Sequence, residues 1–329
     1  MTGTLRQMEV IDAIVQVVVS SQDDIAYLSG SLIEGFGNSA SDIDLFLVTA
    51  EDPKYGGGIG SLLGDYYLDL ELHRFDHMHD LVERLNALDP ADFAQVWQTP
   101  LGDIDLYYRT LVGQACHNPE GFAALRASFS REVSKRLLAA WCGLRYRASI
   151  QQAWEELEAG HATRAALAAQ AAAASALDSY LAKNGECFPS LKWRFEKLAR
   201  LHGAASELYA RAWKLIALGK QNAADYVSAV EALGNDLGMS AYGAWSLDDV
   251  PLKKRGDSRC FAVAEEQLIV QDSRFIYSAD IAVTEALALI EGGTTRSTLV
   301  SELSRSGTSE GEVRDMLTSL QAAGLVRGY

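Results

Sequence analysis

The strand-like segment SDIDLFLV, residues 41–48, constrains the fold of this 329-residue chain more than any other feature. Successive side chains of a strand point to opposite faces, so Asp42 and Asp44 lie on the same face. The residues of the opposite face are apolar and are expected to pack on a core: Ile43, Leu45 and Leu47. Two like charges on one face repel each other unless a cation lies between them, and hard carboxylate oxygens suit Mg²⁺. The segment therefore predicts a metal site on one face of a sheet.

A glycine-containing turn precedes this strand. An apolar run at residues 25–28 predicts a short strand, which ends at Gly30 and Ser31. Gly35 and Gly37 follow in the same turn. Small residues let backbone N–H groups and a serine hydroxyl approach phosphate oxygens closely. We therefore expect this turn to approach phosphate groups beside the carboxylates.

The sequence Gly30-Ser31, ten intervening residues and then Asp42-x-Asp44 resembles the signature of the DNA polymerase beta-like nucleotidyltransferase superfamily. The resemblance implies a mixed sheet with flanking helices, whose Asp42 and Asp44 hold one or two Mg²⁺ ions. It also implies that Gly30 and Ser31 cradle the terminal phosphates of a nucleoside triphosphate (NTP).

A second alternating strand carries further carboxylates. Residues 66–75 have Asp69 and Glu71 on one face and leucines on the other. In the superfamily that this chain resembles, a third acid in such a strand completes the metal site and can accept a proton from the attacking hydroxyl or amine. Asp69 and Glu71 both qualify as this catalytic acid. Asp69 is favoured slightly, also as the third metal ligand, because the third acid often falls early in the strand.

A polar, glycine-rich stretch, residues 50–64, lies between these two strands. Its composition predicts a surface loop, and the alternative is a mobile flap near the nucleotide. Under either interpretation we expect no regular element there.

The pattern changes after about residue 116. No proline occurs between Pro119 and Pro189, and apolar residues recur every three to four positions, which predicts a helical domain of four or five helices. Within it, Lys192 and Trp193 open a helix after a short loop. This stretch resembles the helical substrate domain of antibiotic nucleotidyltransferases, and by that resemblance Lys192 would contact the triphosphate. Other basic residues are weaker candidates for the same role: Arg131, Lys135, Arg136, Arg145 and Arg147.

The net charge of −15 is unevenly distributed. Residues 1–110 carry 19 acidic and 5 basic side chains, whereas residues 111–240 carry 12 acidic and 15 basic ones. An acidic first domain is a poor surface for nucleic acid, whose affinity comes mainly from Lys and Arg. It would instead attract a cation, namely Mg²⁺, an amine substrate or a basic peptide. The basic second block could supply phosphate contacts.

The last 90 residues form a separate pattern. A linker at residues 240–260 precedes short strand-like runs and three helical pieces, which predicts a winged helix-turn-helix. Residues 280–329 hold 7 acidic and 4 basic side chains, a balance that argues against DNA binding. The segment resembles small winged domains that recognise leader peptides by adding them as an extra strand. A plain interaction or dimerisation module is the alternative.

The composition predicts an ordinary globular protein of the cytoplasm. Its four cysteines are far apart and form no CxxC pair, which favours buried thiols in a reduced compartment. We expect no signal peptide and no membrane-spanning segment, because the most apolar early run is too short. The expected fold class is α+β, with a catalytic domain over residues 1–115, an all-α bundle over 116–240, and a linker with a winged-helix domain over 241–329.

These features together predict a metal-dependent nucleotidyltransferase. It would transfer a nucleoside monophosphate, with AMP favoured, from a Mg²⁺-bound NTP, with ATP favoured, and release pyrophosphate. The acceptor would be a hydroxyl or amine of a cationic small molecule or a peptide, and we expect neither a membrane nor a nucleic acid as partner. The alternative is a protein that keeps the fold as a non-catalytic nucleotide-binding or regulatory module.

Overall fold

The structure is a computed structural model. It describes residues 11–38, 41–50, 59–63, 66–217, 222–243, 245–246, 253–254, 258–263, 266–271, 275–279, 281–291, 294–322 and 325–327. The chain divides into two compact units, Met1–Met239 and Ser240–Tyr329. The boundary predicted between residues 115 and 116 lies inside the first unit.

The first described element of this unit is helix α1, residues 11–18, and strands and helices follow it. The elements of its sheet region are β1 (Ile25–Ser29), α2 (Gly30–Ile33), β2 (Ile43–Thr49), β3 (Ile59–Leu63), β4 (Tyr66–Arg74), α3 (Phe75–Ala87), α4 (Phe93–Gln98), α5 (Leu101–Val112) and β5 (Gln114–His117). The helices that follow are α6 (Pro119–Arg126), α7 (Arg131–Glu158), α8 (Ala162–Lys183), α9 (Arg194–His202), α10 (Glu207–Ile216) and α11 (Ala223–Asp236).

The described strands of this unit form one five-stranded sheet in the order β3-β4-β2-β1-β5. Strands β2 and β4 are parallel, and every other neighbouring pair is antiparallel. The sheet is therefore mixed, and the predicted α+β class is confirmed. The parallel pair matters most for function, because it sets the two acidic strands side by side.

One face of the sheet packs on α1. The residues of this core are all apolar: Ile11, Ile14, Val15, Ala26, Ile43, Leu45, Leu47, Leu68 and Leu70. The strand alternation accounts for this face, since every second residue of β2 and β4 is apolar. The expected burial of the apolar side of the acidic strand is confirmed.

The long helices α7 and α8 form the centre of the predicted bundle. Small side chains of α8 allow close contact, and its alanines Ala165, Ala169, Ala172, Ala173 and Ala176 are fully buried. Six α-helices are described between residues 119 and 236, against four or five expected. The excess reflects short helices such as α9 and α10, whose periodic patterns are too brief to separate by sequence.

The bundle also contacts the sheet region of the same unit. Ile104 and Tyr108 of α5 share a core with Leu138 and Cys142 of α7 and with Phe188, which follows α8. The acidic strands and the loop after α8 are thus parts of one compact body.

The second unit contains strands followed by helices. Its described elements are β6 (Lys253–Lys254), β7 (Ser258–Val263), β8 (Glu266–Gln271), β9 (Phe275–Ala279), α12 (Ile281–Glu291), α13 (Arg296–Arg305), α14 (Glu310–Ala322) and β10 (Val326–Arg327). Strands β7, β8 and β9 form an antiparallel sheet in that order, and β10 pairs with β6. The three helices share an apolar core that includes Leu287, Leu299 and Leu317. The winged-helix assignment and its possible peptide ligand stay predictions.

The expectation for residues 59–63 was wrong. These residues, assigned to a loop, form strand β3, which pairs with β4. The glycines that signalled a loop are concentrated in residues 51–58, outside the described residues, and only Gly60 lies within β3. None of the helices that the structure describes is both long enough and apolar enough to span a membrane.

Candidate active site

The parallel register brings two of the predicted acids together. Asp44 of β2 is the direct neighbour of Asp69 on β4, and Phe46 is the neighbour of Glu71. Residues paired in register share a face of the sheet, so Asp44, Asp69 and Glu71 lie on the same side. Asp42 stands one residue before β2. Of the two candidates for the third acid, Asp69 is the one beside Asp44.

The carboxylates lie at the open end of this face. The side chain of Asp44 is 16% exposed and that of Glu71 is 36% exposed. Farther along β2, Phe46 and Val48 are fully buried on the same face. The acids therefore keep partial exposure on a face that is otherwise buried along β2.

Arg109 of α5 is the cation next to these acids, and the sequence analysis missed it. Its Nη1 lies 2.9 Å from Oδ1 of Asp44, and its Nε lies 2.7 Å from Oδ2 of Asp105 on the same helix. The side chain of Arg109 is only 15% exposed. The Asp105–Arg109 spacing is an i,i+4 pair, which could have been noticed, but the partner on β2 is 65 residues away and no local pattern indicates it.

Asp42, Asp44, Asp69 and Glu71 form a carboxylate cluster, and burial together with charge repulsion raises the pKa of two of its members. Burial raises the pKa of Asp44, Arg109 opposes this, and Asp42 and Asp69 raise it further. Burial also raises the pKa of Asp69, with Glu71 and Asp42 adding repulsion. Both carboxyls are thus held in a setting that disfavours negative charge. A bound cation would relieve it.

The backbone of Gly30 lies directly against the Asp44 carboxylate. Its φ is +75°, and a Cβ at this position would overlap Oδ2 of Asp44 and lie 3.1 Å from Nη1 of Arg109. Only glycine leaves this space to the Asp44 carboxylate. Gly30 and the buried Ser31 begin the one-turn helix α2, and the carbonyl of Ser31 accepts hydrogen bonds from the N–H groups of Phe36 and Gly37. The predicted phosphate turn therefore lies directly against the predicted metal ligand.

The loop after α8 also contacts Arg109. The centroid of the Phe188 ring lies 5.5 Å from the Arg109 guanidinium carbon, and that of the Phe46 ring lies 5.8 Å from it. Phe36 of the turn stacks on Trp193 at 5.5 Å, and Arg200 lies 4.0 Å over Phe36. The turn, Arg109 and the start of α9 thus form one contact region.

Lys192 lies at the edge of this region. It is exposed, and its Nζ is 5.4 Å from the ring centroid of the neighbouring Trp193, which stacks on Phe36. Among the weaker basic candidates, Arg145 lies between the rings of Trp97 and Trp141 at 4.5 and 4.6 Å. Its contacts are with aromatic rings of α4 and α7, and none involves the carboxylate cluster.

The chemistry of the cluster fits a hard divalent cation. All its donors are carboxylate oxygens, those of Asp44, Asp69 and Glu71 on adjoining strands and that of Asp42 just before β2. Within the part of the chain that the structure describes, no three His, Cys, Asp or Glu side chains converge closely enough to hold a metal ion. One reason is local, since Oδ1 of Asp44 is directed to Arg109.

Comparison with solved structures yields weak similarity only. No family profile matches the chain, and no curated protein matches it. The chain is similar to the crystal structure of a nucleotidyltransferase-like protein from Exiguobacterium sibiricum 255-15, with 16% sequence identity and a TM-score of 0.40. The match covers 90% of this chain and 92% of that one. The function proposed below rests on the geometry of the site itself.

Proposed function

We propose that this protein is a metal-dependent nucleotidyltransferase. The observation that carries the proposal is the register pair of Asp44 and Asp69 on adjacent parallel strands, with Gly30 directly under Asp44. A carboxylate pair beside a small-residue turn can serve both a cation and the phosphates that the cation neutralises.

Each residue of the cluster has a role in this proposal. Asp42 and Asp44 hold Mg²⁺, and Asp69 completes the ligand set, with Glu71 beside it as the alternative acid. When bound, the metal neutralises charge on the attacking and leaving oxygens. Gly30 and Ser31 cradle the terminal phosphates. Lys192 is the proposed cation for the triphosphate, at the rim of the same region.

The acceptor is proposed to be cationic. The open end of the face presents Asp69 and Glu71, and the half-exposed Tyr67 lies across Gly60 of β3, whose register partner is Asp69. An acidic surface with an exposed ring favours an amine-bearing small molecule or a basic peptide. Its hydroxyl or amine would attack the α-phosphorus and release pyrophosphate, with Asp69 or Glu71 accepting the proton.

Calorimetry tests the donor site directly. We expect one of the four NTPs, with ATP favoured, to bind in the presence of Mg²⁺, and Asp42→Asn and Asp44→Asn to abolish this binding without unfolding the chain. The matched control is Asp80→Asn, which removes an exposed carboxylate from α3 in the same unit. Wild-type binding in the Asp44→Asn variant would contradict the assignment.

A non-catalytic nucleotide-binding module is the second candidate. The observation that favours it is the ion pair of Arg109 with Asp44, which occupies an oxygen that a catalytic metal could use. Pyrophosphate release in the presence of a panel of amines and basic peptides separates the two. Magnesium-dependent NTP binding without pyrophosphate release from any acceptor of this panel would favour the non-catalytic module.

A further inference from the structure

Arg109 is a fixed positive charge inside the carboxylate cluster. Its guanidinium is shared between Asp44 at 2.9 Å and Asp105 at 2.7 Å. Burial lowers the pKa of Arg109, but the pairs with Asp105 and Asp44 outweigh burial and raise this pKa, so the guanidinium stays charged.

This charge is held from several directions. The rings of Phe46 and Phe188 flank it, one from the sheet and one from the loop after α8. The hydroxyl of Ser29 donates a hydrogen bond to the backbone carbonyl of Arg109 at 2.9 Å. A contact fixed by a helix, a sheet and a loop differs from a surface ion pair, whose long side chains move freely.

We propose that Arg109 keeps the affinity of the cluster for a free divalent ion low, so that metal and triphosphate are taken up together. This inference rests on the proposed function. A divalent ion that approaches Asp44 without a nucleotide meets the guanidinium that is paired with Oδ1. The Coulomb repulsion between the ion and the guanidinium is large at a few ångströms in a half-buried site. Arg109 is thus a positioning residue that couples two ligands.

The triphosphate removes this barrier. A phosphate group in the turn would lie near Gly30, and the turn is close to the guanidinium, since a Cβ on Gly30 would lie 3.1 Å from Nη1 of Arg109. Its negative charge offsets the guanidinium and supplies further oxygen ligands. The same side chain that disfavours free metal therefore favours the metal-bound nucleotide.

Mn²⁺ titrations of the full chain without nucleotide test the first half of the inference. We expect Arg109→Gln to bind Mn²⁺ about tenfold more tightly than wild type, since one repelling charge is gone. Arg109→Lys keeps the charge and should stay within about threefold of wild type. Arg84→Gln is the matched control, because Arg84 of α3 pairs with Asp103 of α5 instead of with the carboxylate cluster, and its removal should change nothing.

The second half is a coupling measurement. Mn²⁺ affinity is measured with and without α,β-methylene-ATP, and the ratio gives the coupling between the two ligands. We expect the nucleotide to strengthen Mn²⁺ binding in wild type and Arg109→Lys by at least about tenfold more than in Arg109→Gln. Arg109→Met keeps the packing against Phe46 and Phe188 without the charge and repeats the test if the glutamine variant does not fold.

The outcomes are distinct. If wild type binds Mn²⁺ with the nucleotide but Arg109→Gln binds free Mn²⁺ no more tightly, this inference fails and the proposed function stands. Tightening in Arg109→Lys as large as in Arg109→Gln also overturns it, because charge would not be the cause. If wild type binds Mn²⁺ under neither condition, the proposed function fails and the inference fails with it. Circular dichroism establishes that each variant is folded.

Discussion

At the scale of single residues, Gly30 links backbone conformation to the candidate site. Two features require glycine at this position, namely the left-handed φ of +75° and the close contact with Asp44. Gly35 has a φ of +78° but nothing within 4 Å of its Cβ position, so only the backbone conformation requires glycine there. The two glycines therefore separate backbone strain from displacement of the carboxylate.

We expect Gly30→Ala and Gly35→Ala each to lose about 1–2 kcal/mol of unfolding free energy through the left-handed backbone. Only Gly30→Ala should also displace Asp44, and so destabilise the chain further and weaken Mg²⁺–NTP binding by about tenfold or more. Urea unfolding and calorimetry measure the two effects. Equal losses of stability with unchanged nucleotide binding in both variants would contradict the role given to Gly30.

At the scale of elements, a buried ion pair joins α8 to α9. Asp178 accepts two hydrogen bonds from Arg194, at 2.9 and 2.6 Å, and their side chains are 7% and 13% exposed. The buried Lys197 of α9 donates to the carbonyl of Phe188, the residue whose ring covers Arg109. Burial lowers the pKa of Lys197, and Asp178 opposes this. We call Asp178, Arg194 and Lys197 the clasp, because their contacts fix the loop that carries Phe188.

We expect Asp178→Ala to cost about 3–5 kcal/mol of unfolding free energy, since Arg194 and Lys197 would be left buried without their counter-charge. The control is Asp236→Ala, which breaks the exposed pair with Arg211 and should cost about 0–1 kcal/mol. Urea unfolding compares the two variants. A loss in Asp178→Ala no larger than in the control would show that the clasp is not a stabilising element.

At the scale of the whole molecule, the chain consists of two compact units with separate cores. Every residue of the candidate site belongs to the first unit, Met1–Met239. The second unit, a three-stranded sheet with three helices, contributes none of them.

We expect a chain that ends at Met239 to bind Mg²⁺–NTP within about twofold of the full chain, because the first unit has its own core and carries every candidate residue. Calorimetry measures the binding, and pyrophosphate release with small amines and basic peptides then assigns the second unit. Unchanged turnover would favour a small-molecule acceptor, whereas loss restricted to peptides would favour peptide recognition by residues 240–329. Loss of NTP binding itself would contradict the independence of the two units.

Short-range patterns predicted much of this protein. The alternation in β2 and β4 indicated which face is apolar and which carries Asp44 and Asp69, and the periodicity after residue 116 indicated the bundle. These patterns succeed because strand and helix geometry relate residues that are close in sequence. Strand β3 was missed because the glycines of residues 51–58 dominated its local signal.

Only the tertiary structure decided which groups surround the acids. The register sets Asp69, and not Glu71, beside Asp44, and the packing of α5 brings Arg109 onto the same carboxylate. The choice between Asp69 and Glu71 depends on a shift of two residues between strands that are distant in the chain, and the Arg109 contact spans 65 positions. Amino-acid alternation specifies faces but not the alignment of one element against another, since that alignment follows from how the whole core packs.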